Sequence, residues 1–266
     1  MSTLRSSAAR LLGALLLASG LSASSHARAT EAPVVAAASD LQLALIEVAD
    51  AFRRTTGQSV RLTFGSSGNL ARQIRQRAPF QVFFSANEDF VKDLAKDGLM
   101  RDPGDLYGVG RVVLFVPANS PLKADGTLAD LAAALADGRL KKLAIANPEH
   151  APYGARAREA LMHAGLWDAI EDKLVLGETV SQAAQFAMSG NTQGGIIAYS
   201  LALSPRVASL GTYQLIPAGM HKPLRQAMGL TKDADAVARA FYDFAKSPEA
   251  RTIFRKHGFV LPGEAS

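Results

Sequence analysis

Ser66 and Ser67 stand between an apolar, β-compatible run (Val60, Leu62, Phe64) closed by Gly65 and a helical pattern that opens at Leu70 and Ile74. The spacing predicts strand, tight turn and helix. At such a turn the hydroxyls and free backbone N–H groups point out of the positive end of a helix, which is a seat for an anion. Taken alone, Ser67 reads more simply as the cap of its own helix. The junction recurs, however. Ser39 follows the apolar strand Pro33 to Ala37 and precedes apolar positions Leu43, Ile46, Val48, Ala49 and Phe52 at helical spacing. Tyr153-Gly154 opens a helix over Ala155 to Ala164, and Gly177-Glu178-Thr179-Val180-Ser181 opens another over Gln182 to Met188.

Four helix starts support a definite chemistry. A tetrahedral oxyanion carries acceptors only, so serine hydroxyls and backbone amides suit it without any lysine or arginine. Each helix end contributes roughly 0.3 to 2 kcal/mol toward a nearby anion, and each hydrogen bond to a charged group about 1.5 to 3 kcal/mol. Together these reach roughly micromolar affinity, about −8 kcal/mol, after ordering costs. Asp40 sits awkwardly beside Ser39. Its side chain either turns back onto its own helix start, as first-turn acids do, or tunes which anion is accepted.

Other chemistries find less support. Gly65-Ser66-Ser67-Gly68 lacks the G-x-S-x-G spacing of a hydrolase elbow. His26, His150, His163, His221 and His257 show no metal-ligand spacing. His150 reads as a polar turn residue, and Trp167 in Gly165-Leu166-Trp167 as packing at a helix end rather than as a stacking platform. No catalytic residue and no cofactor is expected.

The elements that must position these turns alternate along the chain. Strands are expected at Val60 to Phe64, Ala78 to Ser85, Val112 to Val116, Leu143 to Ala146, Gly194 to Ala198 and Thr212 to Ile216, with a shorter one at Arg225 to Gly229. Helices lie between them, Asn87 caps the one around Phe90 to Ala95, and two amphipathic helices, Ala234 to Ala245 and Pro248 to His257, close the chain. Strand and helix in alternation with short links predict an α/β fold of mostly parallel sheets flanked by helices. The expected division is a first lobe over residues 30–112, a second over 113–211, and a return to the first at 212–266. The first crossing is expected at the polar connection Pro121 to Gly126, and the strand from Thr212 makes the second. Ser39 and Ser67 then face Tyr153 and Val180 across a cleft at the carboxyl ends of strands.

Composition sets the compartment. Arg5 and Arg10 precede an apolar run from Leu11 to Ala23, and Ala27-Arg28-Ala29 has the A-x-A form of a signal-peptidase site, so residues 1–29 read as an export leader cleaved after Ala29. No later stretch reaches the roughly 20 apolar residues of a membrane span. The chain has no Cys, which excludes disulfides, thiolate metal sites and cysteine nucleophiles. Its formal charge is +5, three units of which (Arg5, Arg10, Arg28) leave with the leader. The remainder is too small to point to nucleic acid or an anionic membrane.

Several segments resemble one family, the periplasmic molybdate-binding proteins of ABC importers, over essentially the whole chain after the leader. Phe64-Gly65-Ser66-Ser67-Gly68-Asn69-Leu70-Ala71-Arg72-Gln73-Ile74 is the most specific of them; Ala36-Ala37-Ala38-Ser39, Asn147-Pro148-Glu149-His150-Ala151-Pro152-Tyr153-Gly154 and Glu178-Thr179-Val180 are similar to other ligand loops of that family. The tail Ala240-Phe241-Tyr242-Asp243-Phe244 with Gly258-Phe259 is similar to its closing helices. The resemblance implies a two-lobed periplasmic-binding-protein-like fold and a non-enzymatic, periplasmic, monomeric receptor for molybdate, with tungstate as a second ligand, that delivers it to an inner-membrane permease. By position, Ser39 and Ser67 would donate side-chain and main-chain hydrogen bonds, and Tyr153 and Val180 main-chain N–H groups. The four would meet molybdenum only through the oxygens of the oxyanion. The sequence departs from the family where many members place a ligand tyrosine, which here falls on Ala198, with Tyr199 one residue later; Asp40 and Gln81 also differ. These departures keep another oxyanion or small anion open as the ligand.

Overall fold

The computed structural model describes residues 31–264; the leader expected over residues 1–29 lies outside them. The first stretch alternates β1 (Val34–Ala38), α1 (Gln42–Thr56), β2 (Arg61–Gly65), α2 (Ser67–Arg75), β3 (Phe80–Ser85), α3 (Glu88–Lys96) and β4 (Asp105–Gly110). After the single residue Arg111 come β5 (Val112–Pro117), α4 (Ala129–Ala136), β6 (Leu143–Ala146), α5 (Pro152–His163), α6 (Trp167–Ile170), β7 (Leu174–Gly177), α7 (Val180–Met188), β8 (Gly194–Ala198), α8 (Tyr199–Ala202), α9 (Pro205–Ala208) and β9 (Gly211–Leu215). β10 (Leu224–Leu230), α10 (Ala236–Phe244) and α11 (Pro248–Lys256) end the described chain.

The strands form two five-stranded sheets, β2-β1-β3-β10-β4 and β7-β6-β8-β5-β9. In each, three neighbouring strands run parallel, and a fourth and fifth are added antiparallel. β5 and β10 are each the first strand after the chain passes between sheets, and each enters reversed, so both sheets are mixed. The first passage is at Arg111, before β5, not at Pro121 to Gly126. The strand from Thr212 does not cross back: β9 pairs with β5, Leu114 opposite Gln214, and the return lies between β9 and β10. Thr212 and Gln214 are exposed, as an edge strand allows, whereas six of the seven residues of β10 are buried, as a central strand requires.

The helix α1 shows how local phase decides burial. Ser39–Leu41 form a 3-10 turn ahead of it, and the face that packs inward is Leu41, Ala44, Leu45, Val48, Ala51 and Phe52. Leu43 and Ile46, two of the apolar positions that mark the helix in the sequence, fall outside that face and are 38% and 44% exposed. Phe52 meets Phe241 and Phe244 edge-on at 5.3 and 5.6 Å, which ties α10 over the first sheet. Trp167 packs at the start of α6 against the core of the second sheet, as its position suggested.

Candidate functional site

Each of the four expected site residues lies at the start of a helix or turn that leaves the carboxyl end of a strand. Ser39 follows β1, and its hydroxyl does not cap α1. Instead its Oγ accepts the backbone N–H of Ser181 at 3.3 Å. Ser67 is the first residue of α2, and its Oγ accepts the N–H of Ala86, just past β3, at 2.9 Å. Tyr153 is the second residue of α5, whose first position is filled by Pro152, a residue with no N–H to lose there. Val180 is the first residue of α7, where the Thr179 hydroxyl caps the helix by accepting from the Gln182 N–H at 3.1 Å. Helix geometry leaves the N–H groups of Ser67, Tyr153 and Val180 without an acceptor inside their own helices.

These four residues, each at most 4% exposed, line one small cavity. Ala38, Ser39, Asp40, Gly65, Ser66, Ser67 and Ala86 supply one wall, and Ala151, Pro152, Tyr153 and Val180 the other. No lysine or arginine is among the lining residues. A hydroxyl has one proton to give. Because Ser39 and Ser67 each already accept a backbone N–H, both keep that proton for a guest.

The two walls are joined directly. Ser181 donates its hydroxyl to the Ser39 carbonyl at 2.9 Å, Ser200 donates to the Asp40 carbonyl at 2.8 Å, and the Gly68 N–H donates to the His150 carbonyl at 3.0 Å. The Ser66 Oγ lies 2.9 Å from His150 Nδ1, and Nε2 of the same ring is 3.4 Å from the Glu178 carboxylate. Ser66 stands at the cap position of α2 but makes no capping hydrogen bond, and Ser67, read alone as that cap, is the first residue of the helix. Its proximity to an imidazole and a carboxylate has the order of a hydrolytic triad, but Glu178 is largely exposed and the contact bridges the cleft. The trio serves to hold the walls together.

Behind the cavity lies a buried polar cluster that sequence reasoning missed. Asp40 makes no capping hydrogen bond; its Oδ2 accepts from Gln226 Nε2 at 2.9 Å. That amide nitrogen also donates to the Tyr153 hydroxyl at 3.1 Å, and Tyr107 donates its hydroxyl to Gln226 Oε1. Burial pushes the Asp40 carboxyl up to about 6, against the pull of Gln226, the Tyr153 hydroxyl and neighbouring backbone N–H groups. Burial likewise holds the Tyr107 and Tyr153 phenols well above their ordinary range, so both stay neutral. Gly110 completes the cluster, since a Cβ there would run into Gln226 Nε2 and the Tyr153 hydroxyl. Only Asp40 and Tyr153 of this group carried a signal in the sequence; Gln226 lies 186 residues from Asp40.

Ala198 is fully buried at the end of β8, and Tyr199 turns away from the cavity, its ring 5.8 Å from that of Tyr213 and 4.5 Å beneath the Arg111 guanidinium. Among the described residues no group of three His, Asp or Glu side chains is placed to hold a bare metal ion.

Two mixed sheets, linked by two passages of the chain between them and closed over a small cavity walled by helix starts, define a two-lobed binding protein. Comparison with known proteins agrees. The family model for bacterial extracellular solute-binding proteins matches residues 33–260, and the chain belongs to that family. It is 38% identical over 217 residues to the molybdate-binding protein ModA of Rhodobacter capsulatus, covering 80% of this chain and 82% of that one. It is 35% identical to the protein of the same name from Azotobacter vinelandii, over 85% and 89% of the two chains. The solved periplasmic molybdate-binding protein of Azotobacter vinelandii superposes with a TM-score of 0.77 at 30% identity, covering 86% of this chain and 99% of that one. The family is one of solute carriers rather than enzymes, and no helix among the described residues is long and apolar enough to cross a membrane.

Proposed function

We propose that this protein captures molybdate in the periplasm, accepts tungstate in its place, and delivers the anion as a monomer to the permease of an ABC importer. The observation that carries the reading is the pair of buried hydroxyls, Ser39 and Ser67, each engaged as acceptor by a backbone N–H and so left to donate into a cavity without cations. The N–H groups of Tyr153 and Val180 complete the donor set from the facing wall. A guest with four acceptor oxygens satisfies donors on both walls at once, so it stabilises the closed form over the open one. Fixed donors favour an anion large enough to reach all of them, which ranks sulfate below molybdate. The names borne by the relatives support the same ligand and the same compartment.

Titration calorimetry with molybdate, tungstate and sulfate tests this. Binding of the first two at micromolar or tighter affinity, with sulfate weaker by at least tenfold, is the expected result. No heat with molybdate, or sulfate bound more tightly, rejects it. A competition series ranking a different anion above molybdate would keep the fold and change the ligand, a reading that Asp40 in the cavity wall favours.

A further inference from the structure

Asp40 is the one carboxyl side chain in the cavity wall, and it is 1% exposed. Its two oxygens differ. Oδ2 is tied to Gln226 Nε2 at 2.9 Å, while Oδ1 is buried with no hydrogen-bond partner among the described residues. Because the Gln226 nitrogen donates to Oδ2, that oxygen acts as acceptor, and a proton on this carboxyl belongs on Oδ1. The Gln226 amide is fixed in this sense by the Tyr107 hydroxyl, which donates to its oxygen. A buried acceptor facing an anion with nothing to donate is a mismatch; a buried donor is not.

We propose that Asp40 contacts the captured oxyanion as a neutral carboxylic acid, its Oδ1 proton donated in a hydrogen bond to one anion oxygen, so that capture draws one proton from solvent. The inference rests on the oxyanion reading above and adds to it a proton-linked specificity residue. The groups around Asp40 bring no charge that would keep it ionised in the presence of an anion. Tyr107 from β4 and Tyr153 from α5 are neutral phenols, and Ser181 from α7 and Ser200 from α8 supply uncharged hydroxyls. Of the α1 acids, Glu47 is engaged by Lys256 and His257, and Asp50 by Arg53. His150, before α5, is turned to Ser66, and the Arg111 guanidinium at the passage between sheets is directed to Tyr199 and the Gly258 carbonyl. Burial raises the affinity of Asp40 for a proton in the closed form, in the same sense as the geometry. A second negative charge beside it raises that affinity further.

The test is titration calorimetry with molybdate near neutral pH in two buffers of different ionisation heat, on the full protein and on Asp40→Asn and Asp40→Ala. The wild type is expected to take up about one proton per molybdate, and its affinity to weaken by up to about tenfold per pH unit as pH rises from about 6 to about 8. Asp40→Asn, which places a permanent N–H donor at the same point, should show neither proton uptake nor the pH slope, and should bind more tightly than the wild type at the alkaline end. Asp40→Ala should lose the proton uptake and bind weakly at every pH. Molybdate binding by the wild type without proton uptake overturns the proposal alone, and this measurement does not depend on either variant folding. A slope in Asp40→Asn equal to that of the wild type also overturns it. Absence of molybdate binding by the wild type overturns the oxyanion reading, and the proposal with it.

Discussion

The hydroxyl oxygen of Ser39, at the end of β1, accepts the backbone N–H of Ser181, at the start of α7, and Ser181 returns its own hydroxyl to the Ser39 carbonyl. The strands these residues follow, β1 and β7, belong to different sheets, so the contact that orients the Ser39 hydroxyl also holds the lobes together. On the proposed reading, affinity for the anion and closure of the cleft depend on the same atoms.

Ser39→Ala and Ser67→Ala should each weaken molybdate binding by about 10- to 100-fold, the loss of one hydrogen bond to a charged group, about 1.5 to 3 kcal/mol. Their stabilities should differ. Ser67→Ala leaves the Ala86 N–H without its acceptor in a buried place, which costs about 1 to 3 kcal/mol of folding stability. Calorimetric titration and thermal unfolding of the two variants separate the effects.

Gly68→Ala should hold the lobes apart. A Cβ at residue 68 would lie 2.7 Å from the His150 carbonyl oxygen and 3.1 Å from its Cα, both backbone atoms of the facing wall. Solution scattering should show a larger radius with ligand than the wild type has, and affinity should fall by about tenfold or more as the closed form becomes scarce. Circular dichroism should be unchanged, because the clash is between lobes and not within one.

The stability of the ligand-free protein should carry the signature of Asp40. Its carboxyl binds a proton more tightly folded (about 6) than unfolded (3.8), so between these values the folded state holds more protons. Stability from this group is then full below about pH 4, falls as pH rises toward 6, and stays low above it. The difference is roughly 3 kcal/mol at most. Subtracting the pH profile of Asp40→Asn from that of the wild type in denaturant unfolding should isolate it.

Tyr199→Phe should leave anion affinity within about twofold of the wild type, since the ring meets Tyr213 edge-on and lies beneath Arg111 rather than toward the cavity. A larger loss in titration would place its hydroxyl on the guest.

Much of the framework was legible because it is local. β6 and β8 fall on the residues their apolar runs mark, Leu143–Ala146 and Gly194–Ala198, and Gly65-Ser66-Ser67-Gly68 marks the turn that opens α2. The expectation failed where tertiary structure overrode local pattern. β4, Asp-Leu-Tyr-Gly-Val-Gly, has two glycines and an acid that disfavour strand; it is held by β10 on one side and a bridge from Val109 to Val260 on the other. The sheet to which β9 belongs is set by the free edge of β5, which no property of Thr212 to Ile216 announces. At the site, Ser39, Ser67, Tyr153 and Val180 carried signals because each begins a helix. Gln226 and Tyr107 did not, since their part is played through partners far along the chain.

The lack of lysine and arginine in the cavity wall has a consequence for unloading. A receptor that grips with cations must strand buried positive charge, or flood it with water, at the moment its cargo leaves. Here the donors are hydroxyls and peptide groups that solvent can satisfy at once when the lobes part, so the transport machinery has only to pry the walls open to empty the site.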